Sequence, residues 1–356
     1  MIVSVNKPQR IFFQAREILC LLILASFFGC SSPKTYEDIT GPAMGTSYTI
    51  RLVPQRGLIP EMNQIKTQVD SILNSINQQM STYVINSEIS LFNKIPTNSA
   101  IVISHEFKLV INRALYWSEL SKGAFDISSL PLTSVWKKGK ADREYDEVWQ
   151  PPTDLEITLA KDKVGYDKIK LVQNSLIKSH KGLELDVNAI AKGWGVDRLF
   201  NFIKSKGYKN FMIEIGGEIR ASGKNNRGKA WRIGIDVPEP NIQPGEKIIA
   251  VIPIVNKAMA TSGNYRNFYE FNSSKYSHII DPRSGYAIES NISSVTVLTA
   301  TCMDADAIAT ALNVMSLESG KELVESLDGV EAYWVINQNE QFQTVQSSGM
   351  KVDSGF

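Results

Sequence analysis

The second half of the chain contains a series of strand-like segments with few helices between them, and this feature restricts the fold more than any other. In each segment apolar residues alternate with polar ones or run together, as in strands. The segments are 211–215, 231–237, 248–255, 276–280 and 295–299. Strands that follow one another without crossover helices pair antiparallel, whereas a doubly wound parallel sheet needs a helix after each strand. The pattern therefore predicts an α+β fold of mixed, largely antiparallel sheets with packed helices.

Helical spacing of apolar residues supplies the packed helices of this fold. Helices are predicted at 60–80, 105–120, 190–206, 304–315 and 317–327. Further strands are predicted at 47–53, 176–180, 183–187, 332–336 and 341–345, with a Lys-Gly turn joining the second and third of these into a hairpin. The charged segment 137–152, which ends in Pro-Pro, is predicted to be an exposed insertion.

The first 29 residues are interpreted as a secretion signal. They contain three basic residues followed by an apolar run, 18–28, that is too short to span a bilayer. The run ends in Gly29-Cys30 and resembles a lipobox, although Phe27 replaces the usual Leu, so Cys30 is predicted to be acylated. The alternative is an ordinary signal peptide with an incidental cysteine. Residues 30–43 are then predicted to be a tether, and residues 44–350 the folded domain.

Cysteine is scarce, which limits both disulfides and soft metal sites. Of three cysteines, Cys20 lies in the predicted signal and Cys30 would carry lipid, so Cys302 is alone in the mature chain. A lone cysteine forms no intramolecular disulfide, and the three histidines do not suffice for a typical His/Cys zinc site. The fold must therefore depend on its hydrophobic core, and any metal is expected to be bound by oxygen atoms.

The charge balance argues against nucleic acid as a partner. The whole chain has 38 Lys and Arg and 37 Asp and Glu. Residues 1–29 contain three of the basic and one of the acidic residues, which leaves 35 and 36. Binding to a phosphate backbone needs clustered positive charge, and this nearly neutral chain has no basic stripe.

A block of polar and turn residues surrounds one histidine. The segment 276–285 reads Tyr-Ser-His-Ile-Ile-Asp-Pro-Arg-Ser-Gly, and it places His278 at the end of a predicted strand, before a turn. An imidazole titrates near neutral pH, so His278 is a candidate general base for an incoming hydroxyl, with Asp281 to orient it. The alternative is a structural histidine with satisfied hydrogen bonds; the surrounding polar residues favour the catalytic interpretation.

A carboxylate and a hydroxyl share one face of a predicted helix in the segment 304–311, Asp-Ala-Asp-Ala-Ile-Ala-Thr-Ala. Asp306 and Thr310 are four residues apart, so their side chains lie one turn from each other, among alanines that leave room for a ligand. Carboxylate and hydroxyl oxygens suit magnesium. A helix cap at Asp304 or Asp306, with a buried Thr310 hydroxyl, explains the pattern equally well.

A strand-to-helix junction at 186–195 combines small residues with one cation, Lys192. The N–H groups at a helix N-terminus and a nearby lysine can bind a phosphate. Gly216 and Gly217 follow an apolar strand and let the backbone approach a ligand, although a double glycine is more often a tight turn. Their spacing does not match a dinucleotide-binding Gly-x-Gly-x-x-Gly, which disfavours a Rossmann fold.

These segments belong to a longer ordered set. The set comprises Met44-Gly45-Thr46, Met80-Ser81-Thr82-Tyr83 with Ser87-Glu88-Ile89-Ser90 and Asn93, Gly123-Ala124-Phe125-Asp126-Ile127, Ala191-Lys192-Gly193, Ile215-Gly216-Gly217-Glu218-Ile219-Arg220, Ser262-Gly263-Asn264-Tyr265, Ser277-His278-Ile279-Ile280-Asp281-Pro282, and Ala305-Asp306-Ala307 with Thr310. In this order, from about residue 42 to residue 315, it resembles the ApbE family of FAD:protein FMN transferases. The resemblance implies the T-fold-related flavin transferase fold of that family.

The resemblance also implies a reaction and its partners. The family transfers FMN from FAD to a Thr or Ser hydroxyl of an acceptor flavoprotein through a phosphoester bond, with Mg²⁺, and releases AMP. The acceptor is typically a subunit of a membrane redox complex exposed outside the cytoplasm. The chain is therefore expected to be lipid-anchored to a bacterial membrane, facing the periplasm or the cell exterior. The alternatives are an FAD pyrophosphatase and a non-catalytic FAD-binding lipoprotein.

Each matching residue receives an implied role. Mg²⁺ would be held by Asp306, Thr310 and the backbone carbonyl of Ala189, while His278 would activate the acceptor hydroxyl. The residues implied to bind FAD are Met44, Tyr83, Asp126, Lys192, Gly216, Gly217, Ser262 and His278. The chain departs from the family pattern at Asn264, where Asp is expected, and at Asn188-Ala189, where many members have Gly-Gly or Gly-Ala.

Overall fold

Strands outnumber helices in the structure, a computed structural model that describes residues 35–57, 61–138, 149–239, 242–264, 268–272, 274–339 and 341–353. The strands within these ranges are β1 Glu37–Ala43, β2 Thr46–Leu52, β3 Ala100–Val102, β4 Ile169–Val172, β5 Ser175–Lys178, β6 Phe211–Ile215, β7 Glu218–Ser222, β8 Trp231–Asp236, β9 Ile248–Ile254, β10 Ala258–Gly263, β11 Phe268–Phe271, β12 Ser274–Ser277, β13 Ile292–Thr299, β14 Glu331–Gln338 and β15 Gln341–Gln346.

The helices fall into an early group, one long central helix and a late pair. They are α1 Met62–Met80, α2 Glu88–Lys94, α3 His105–Leu120, α4 Leu130–Lys137, α5 Asp154–Lys161, α6 Asn188–Ser205, α7 Cys302–Val314 and α8 Leu317–Glu325, with a 3₁₀ turn at Tyr166–Lys168. The five helices predicted from periodicity are all present, with ends that differ by at most a few residues.

The main sheet has eight strands in the order β1-β2-β6-β7-β10-β13-β14-β15. Every neighbouring pair in it is antiparallel. Three smaller antiparallel sheets accompany it in the described residues: β3-β5-β4, β8-β9 and β11-β12. The predicted α+β class with largely antiparallel sheets is confirmed.

The two faces of the main sheet are covered differently. Helices α1, α6 and α7 pack on one face, where alternate strand residues such as Ile213 and Val295 are buried. The β8-β9 ribbon covers part of the other face, where Met259 and Leu298 are buried. Successive side chains of a strand point to opposite faces. The side chain of Tyr333 therefore packs on the ribbon side of the sheet, and that of Trp334 packs on the helix side. The sheet thus separates two apolar layers.

The sheet begins earlier in the chain than predicted. Residues 37–43, placed in the tether by the sequence, form β1 and pair with β2 along their whole length. Gly41 and Pro42 suggested a linker, but β1 is the terminal strand of the sheet, where proline is tolerated. A Cβ on Gly41 would lie 2.7 Å from the ring of Tyr48, so this glycine permits close packing. Residues 1–34, including the predicted signal and Cys30, lie outside the described residues, and their assignment stays a prediction.

The predicted hairpin of 176–180 with 183–187 is wrong. The first segment is β5, but it pairs with β4 and β3. The second segment is not a strand, because Asn93 takes the place of a partner: its side-chain amide donates to the carbonyl of Leu185 at 2.9 Å and accepts from the N–H of Leu185 at 2.8 Å. Alternate residues of this segment are fully buried, which explains the strand-like pattern.

The predicted exposed insertion at 137–152 is corrected at its end. Residues 139–148 lie outside the described residues. Trp149, however, is buried and stacks on Tyr269 with ring centroids 4.7 Å apart. Its indole N–H donates to the carbonyl of Trp136 at 3.1 Å. This end of the segment is therefore anchored in a small aromatic core.

The described residues from Tyr36 onward form one compact unit. No helix in this part of the chain is long and apolar enough to cross a membrane.

Candidate active site

Three adjoining cavities meet at the first turn of α6. The central cavity, about 550 Å³, is lined by Ala189, Lys192, His278, Asp306 and Thr310, among others. The tyrosine cavity, about 260 Å³, is lined by residues that include Met44, Tyr83, Asn188 and Ala191. The aspartate cavity, about 320 Å³, is lined by residues that include Asp126, Asp186, Asn188, Ser262 and His278. Residues of one helical turn therefore contribute to all three.

The first turn of α6 has an unusual start. The residue before the helix is Val187, whose apolar side chain cannot accept a hydrogen bond and so does not cap the helix. The side chain of Asp186 accepts the N–H of Asn188 at 2.8 Å instead. Burial raises the pKa of Asp186, although the hydrogen bonds from Asn188 oppose this. The positive end of an 18-residue helix thus faces the junction of the cavities. Such an end attracts anions such as phosphates.

Lys192 lies between two buried carboxylates. Its Nζ donates to Oε1 of Glu218 at 3.0 Å and lies 3.6 Å from Oδ1 of Asp306. Burial lowers the pKa of Lys192, but the charges of Asp306 and Glu218 outweigh this and raise it. Burial and the charge of Asp306 raise the pKa of Glu218 to about 8. The cluster therefore holds a protonated lysine near neutral pH, and Oε2 of Glu218 is buried without a hydrogen-bond partner in the described structure.

The structure excludes helix capping by either aspartate of the segment 304–311. The N-cap of α7 is Thr301, whose side chain accepts the N–H of Asp304 at 3.4 Å, so neither aspartate caps the helix. Asp304 pairs with Arg113 and accepts the indole N–H of Trp117 at 2.7 Å, which makes it structural. Asp306 faces the central cavity together with Thr310, as their spacing predicts.

Close contact between α6 and α7 positions Asp306. A Cβ on Gly193 would lie 2.6 Å from the carbonyl carbon of Cys302, so no larger residue fits there without movement. The N–H of Gly193 donates to Oδ2 of Asp306 at 2.9 Å. In a regular helix this N–H donates to the carbonyl of Ala189, so the bond to Asp306 competes for it. The Ala189 carbonyl is thereby left better able to bind another ligand.

A buried ion pair fixes the same contact from the other side. Asp197 of α6 accepts the N–H groups of Cys302 and Met303, both at 2.9 Å, and pairs with Arg220 of β7 at 2.6 Å. A carboxylate at a helix N-terminus stabilises the helix. Neither Asp197 nor Glu218 was selected as a site residue from the sequence, although Glu218 belongs to the motif block 215–220 that carries the resemblance.

His278 lies one residue beyond β12 and lines both the central and the aspartate cavity. The preceding Ser277 donates to Asn264 at 2.5 Å and accepts the N–H of Ile279 at 2.9 Å, which fixes the backbone around the histidine. Asp281, predicted to orient His278, is bonded by the guanidinium of Arg283 at 2.8 and 2.9 Å and by its N–H at 2.9 Å. Its observed contacts are those of a turn-stabilising residue.

The tyrosine cavity is built by a tight turn. Met44 and Gly45 join β1 to β2 and both have positive φ, 48° and 80°, as in a two-residue type I′ hairpin turn. A methionine rarely adopts this conformation, which places its side chain between the two helix-side cores. Tyr83 is 81% exposed, so its ring is available at the cavity mouth.

Asp126 is buried and well bonded. Its Oδ1 accepts the N–H and hydroxyl of Ser128 at 2.8 and 2.7 Å, and its Oδ2 accepts the N–H of Tyr166 at 2.9 Å. Burial raises the pKa of Asp126, and these hydrogen bonds oppose the shift. The carboxylate lines the aspartate cavity but also holds two loops together.

The remaining predicted residues lie in the central cavity. Gly216 and Gly217 form the turn between β6 and β7, with φ of 60° and 104°, and both line the cavity. Ser262 accepts the side-chain amide of Asn313 at 3.2 Å and lines the central and aspartate cavities. The central cavity thus brings together predicted residues from five separated parts of the sequence.

The donor set around Asp306 fits a hard cation. In the described residues, no three His, Cys, Asp or Glu side chains form a group able to hold a metal. An ion at this point would need the hydroxyl of Thr310 and the carbonyl of Ala189, with further oxygens from a ligand or water. Magnesium is commonly bound in this way, by one or two carboxylates together with substrate phosphates.

A family model described as the ApbE family matches residues 44–334. The chain belongs to the ApbE family. The FAD:protein FMN transferase of Vibrio cholerae is 37% identical over 331 residues, which cover 93% of this chain and 96% of the relative. The FAD:protein FMN transferase of Haemophilus influenzae is 33% identical over 340 residues, with coverage of 94% and 96%. The chain is thus an enzyme of the transferase class.

Solved structures show the same fold. The flavin transferase ApbE from Vibrio cholerae aligns with a TM-score of 0.78 at 34% identity, over 89% of this chain and 98% of that one. The flavinyl transferase ApbE of Pseudomonas stutzeri in its apo form aligns with a TM-score of 0.77 at 31% identity, over 88% and 95%. The ApbE fold expected from the sequence is confirmed.

Proposed function

We propose that the protein transfers the FMN half of FAD to a Thr or Ser hydroxyl of an acceptor flavoprotein, with Mg²⁺, and releases AMP. The observation that carries this proposal is the convergence of Lys192, Asp306 and His278 on one cavity at the N-terminus of α6. A helix N-terminus and a lysine suit a pyrophosphate, and a histidine in the same cavity suits an incoming hydroxyl. The names of the relatives support flavin transfer from FAD to a protein.

The reaction is a phosphoryl displacement. The acceptor oxygen forms a bond to the phosphorus of the FMN half, and the bond from this phosphorus to the bridging oxygen of the pyrophosphate breaks. AMP leaves with that oxygen. The proton of the hydroxyl passes to the imidazole of His278, which makes the oxygen a better nucleophile. The product is a phosphoester between FMN and the acceptor.

The residues of the chain bind and orient the substrate for this step. The ammonium of Lys192 and the N–H groups of the first turn of α6 would hold the pyrophosphate. Gly216 and Gly217 would allow it to approach the backbone closely. Met44 and Tyr83 would contact the ring systems of FAD in the tyrosine cavity, and we place Asp126 and Ser262 around the other end of FAD in the aspartate cavity.

Asp306, Thr310 and the carbonyl of Ala189 would hold the magnesium ion, which supplies charge neutralisation at the phosphates. The bond from the Gly193 N–H to Asp306, which leaves the Ala189 carbonyl better able to bind a cation, and the burial of the Asp306 carboxylate support this assignment. Asp281 is proposed to support His278 through the turn that it stabilises.

The enzyme is proposed to act at a membrane surface. Acylation of Cys30 would anchor the chain to a bacterial membrane, facing the periplasm or the cell exterior, beside acceptors such as subunits of membrane redox complexes. A short linker between the lipid and the folded domain would keep the enzyme near such acceptors and raise their effective concentration.

The test is covalent labelling of an acceptor. Membranes from cells lacking the enzyme are incubated with FAD, Mg²⁺ and purified mature protein, and flavin fluorescence is read in a denaturing gel. We expect a fluorescent band with the wild type and with Asp328→Ala, an exposed control, and none with Asp306→Ala or with EDTA.

Each other outcome has a definite meaning. Conversion of FAD to FMN and AMP without any fluorescent band would identify a pyrophosphatase. Binding of FAD with neither product would identify a non-catalytic flavin-binding lipoprotein. Full transfer by Asp306→Ala in EDTA would contradict the metal assignment.

A further inference from the structure

In the described residues, four of the six residues of β10 have no strand beside them on one edge of β10. β10 pairs with β13 over all six of its residues, but with β7 at Ala258 and Met259 alone. No other strand of the described chain pairs with this edge. The cause is the Gly216-Gly217 turn. The chain leaves β6 through this turn and begins β7 only at Glu218, so the start of β7 lies beside the first residues of β10 and no part of β7 extends along the rest. The main sheet therefore has a gap beside residues 260–263.

Backbone groups of Thr261 and Gly263 point into this gap. The carbonyl of Lys257 accepts a hydrogen bond from β7 at 3.0 Å, whereas the N–H of Asn264 donates to β13 at 2.9 Å. Strand backbone groups alternate in direction with a period of two residues. The N–H and C=O groups of Thr261 and Gly263 therefore face the same way as those of Lys257, toward the missing strand.

The gap opens into the central cavity and connects the two faces of the sheet. Thr261 and Gly263 line that cavity together with β8 residues 233–236 from the ribbon side. His278 and Asp306 line it from the helix side. A chain that enters beside the ribbon thus reaches the histidine without crossing the tyrosine or the aspartate cavity.

We propose that the acceptor protein binds here as an added strand, with the segment that carries its Thr or Ser pairing with the free edge of β10. This inference rests on the proposed function, which requires a polypeptide hydroxyl at His278. Two N–H and C=O pairs at strand spacing match an extended polypeptide backbone, whereas FAD offers no such repeat. A Cβ on Gly217 would meet no atom within 4 Å, so space for the added strand exists beside the gap.

This mode of binding gives specificity a simple origin. Main-chain hydrogen bonds are independent of sequence, so they fix the direction and register of the acceptor segment. Side chains on one face of the added strand would meet β8, and those on the other face would meet the helix side. The register decides which hydroxyl reaches His278, because a shift by one residue turns that hydroxyl to the opposite face.

The test uses a short peptide centred on the residue that the wild-type enzyme labels in its acceptor. Thr261→Pro removes the N–H that faces the gap, and we expect the KM for this peptide to rise about tenfold, as for loss of one hydrogen bond. Thr261→Val keeps this N–H and should return the KM to within about twofold of wild type. The matched control is Thr344→Pro, the same change at the outer edge of β15, and it should leave the KM unchanged.

A second measurement holds even if Thr261→Pro does not fold. A series of acceptor peptides, each with one backbone N-methyl group, is tested as substrate of the wild-type enzyme. Transfer should fail when the methyl group is at every second residue of the peptide and persist when it is at the residues between. Equal tolerance of methylation at all positions, or an unchanged KM for folded Thr261→Pro, would overturn the added strand. Absence of any labelled acceptor with the wild type would instead refute the proposed function.

Discussion

The contact between α6 and α7 makes Gly193 a sharp test of how the site is held. A Cβ at this position would lie 2.6 Å from the carbonyl carbon of Cys302 and 2.8 Å from Cα of Met303, where ordinary contact begins at 3.4 Å. Both atoms belong to the backbone, and both residues are fixed by their bonds to Asp197. In Gly193→Ala the two helices must therefore separate by about 1 Å, because closely packed backbone atoms cannot be compressed to these distances.

The free energy of unfolding should fall as a result. Overpacking costs about 1–3 kcal/mol, and here the upper end applies because no side chain can yield. Alanine gains about 1 kcal/mol over glycine within a helix, so a net loss of about 2 kcal/mol is expected in urea unfolding. The shift also moves Lys192 relative to Asp306, and a displacement of about 1 Å in such a site slows the reaction roughly a hundredfold.

Gly320→Ala is the matched control. It makes the same change in α8, where the nearest atom is the end of the Leu312 side chain, which can move. Its stability should lie within about 0.5 kcal/mol of wild type or slightly above, with normal transfer. Wild-type stability and transfer rate in Gly193→Ala would show that this helix contact does not set the geometry of the site.

Three further predictions concern the histidine, the buried glutamate and the lipid. His278→Ala should bind FAD with Mg²⁺ nearly as well as wild type but transfer FMN at least roughly a hundredfold more slowly, with His105→Ala as the exposed control; a wild-type rate would place the base elsewhere. Without metal, the free energy of unfolding in urea should decline from pH 4.5 to about 8, because Glu218 keeps its proton in the folded state and loses it on unfolding. Glu218→Gln should remove this decline, and a Glu218→Gln protein with the pH profile of the wild type would contradict the protonated glutamate. Cys30→Ser should lose both a fatty-acid label and membrane attachment, and retention of the label would disprove the lipobox.

Most of the residues predicted for the site line the central cavity or the two cavities that adjoin it, whereas Asp281 lines none of the three. Ala189, Lys192, His278, Asp306 and Thr310 line one cavity, as the motif resemblance implied. The function of motif residues depends on the type of residue, so these residues can be recognised from one amino-acid sequence. Their partners are less visible: nothing local marks Asp197 as the residue that binds the N-terminus of α7, since the contact spans more than a hundred residues.

The sequence by itself determined the fold class, the five longest helices and several of the strands, because helix and strand periods are local properties of a segment. It did not determine which segments pair. Residues 37–43 looked like a linker until β2 supplied a partner, and residues 183–187 looked like a strand although Asn93 bonds their backbone. Tertiary structure decided these cases, and also the gap beside β10, because each depends on whether a distant segment satisfies the hydrogen bonds of the backbone.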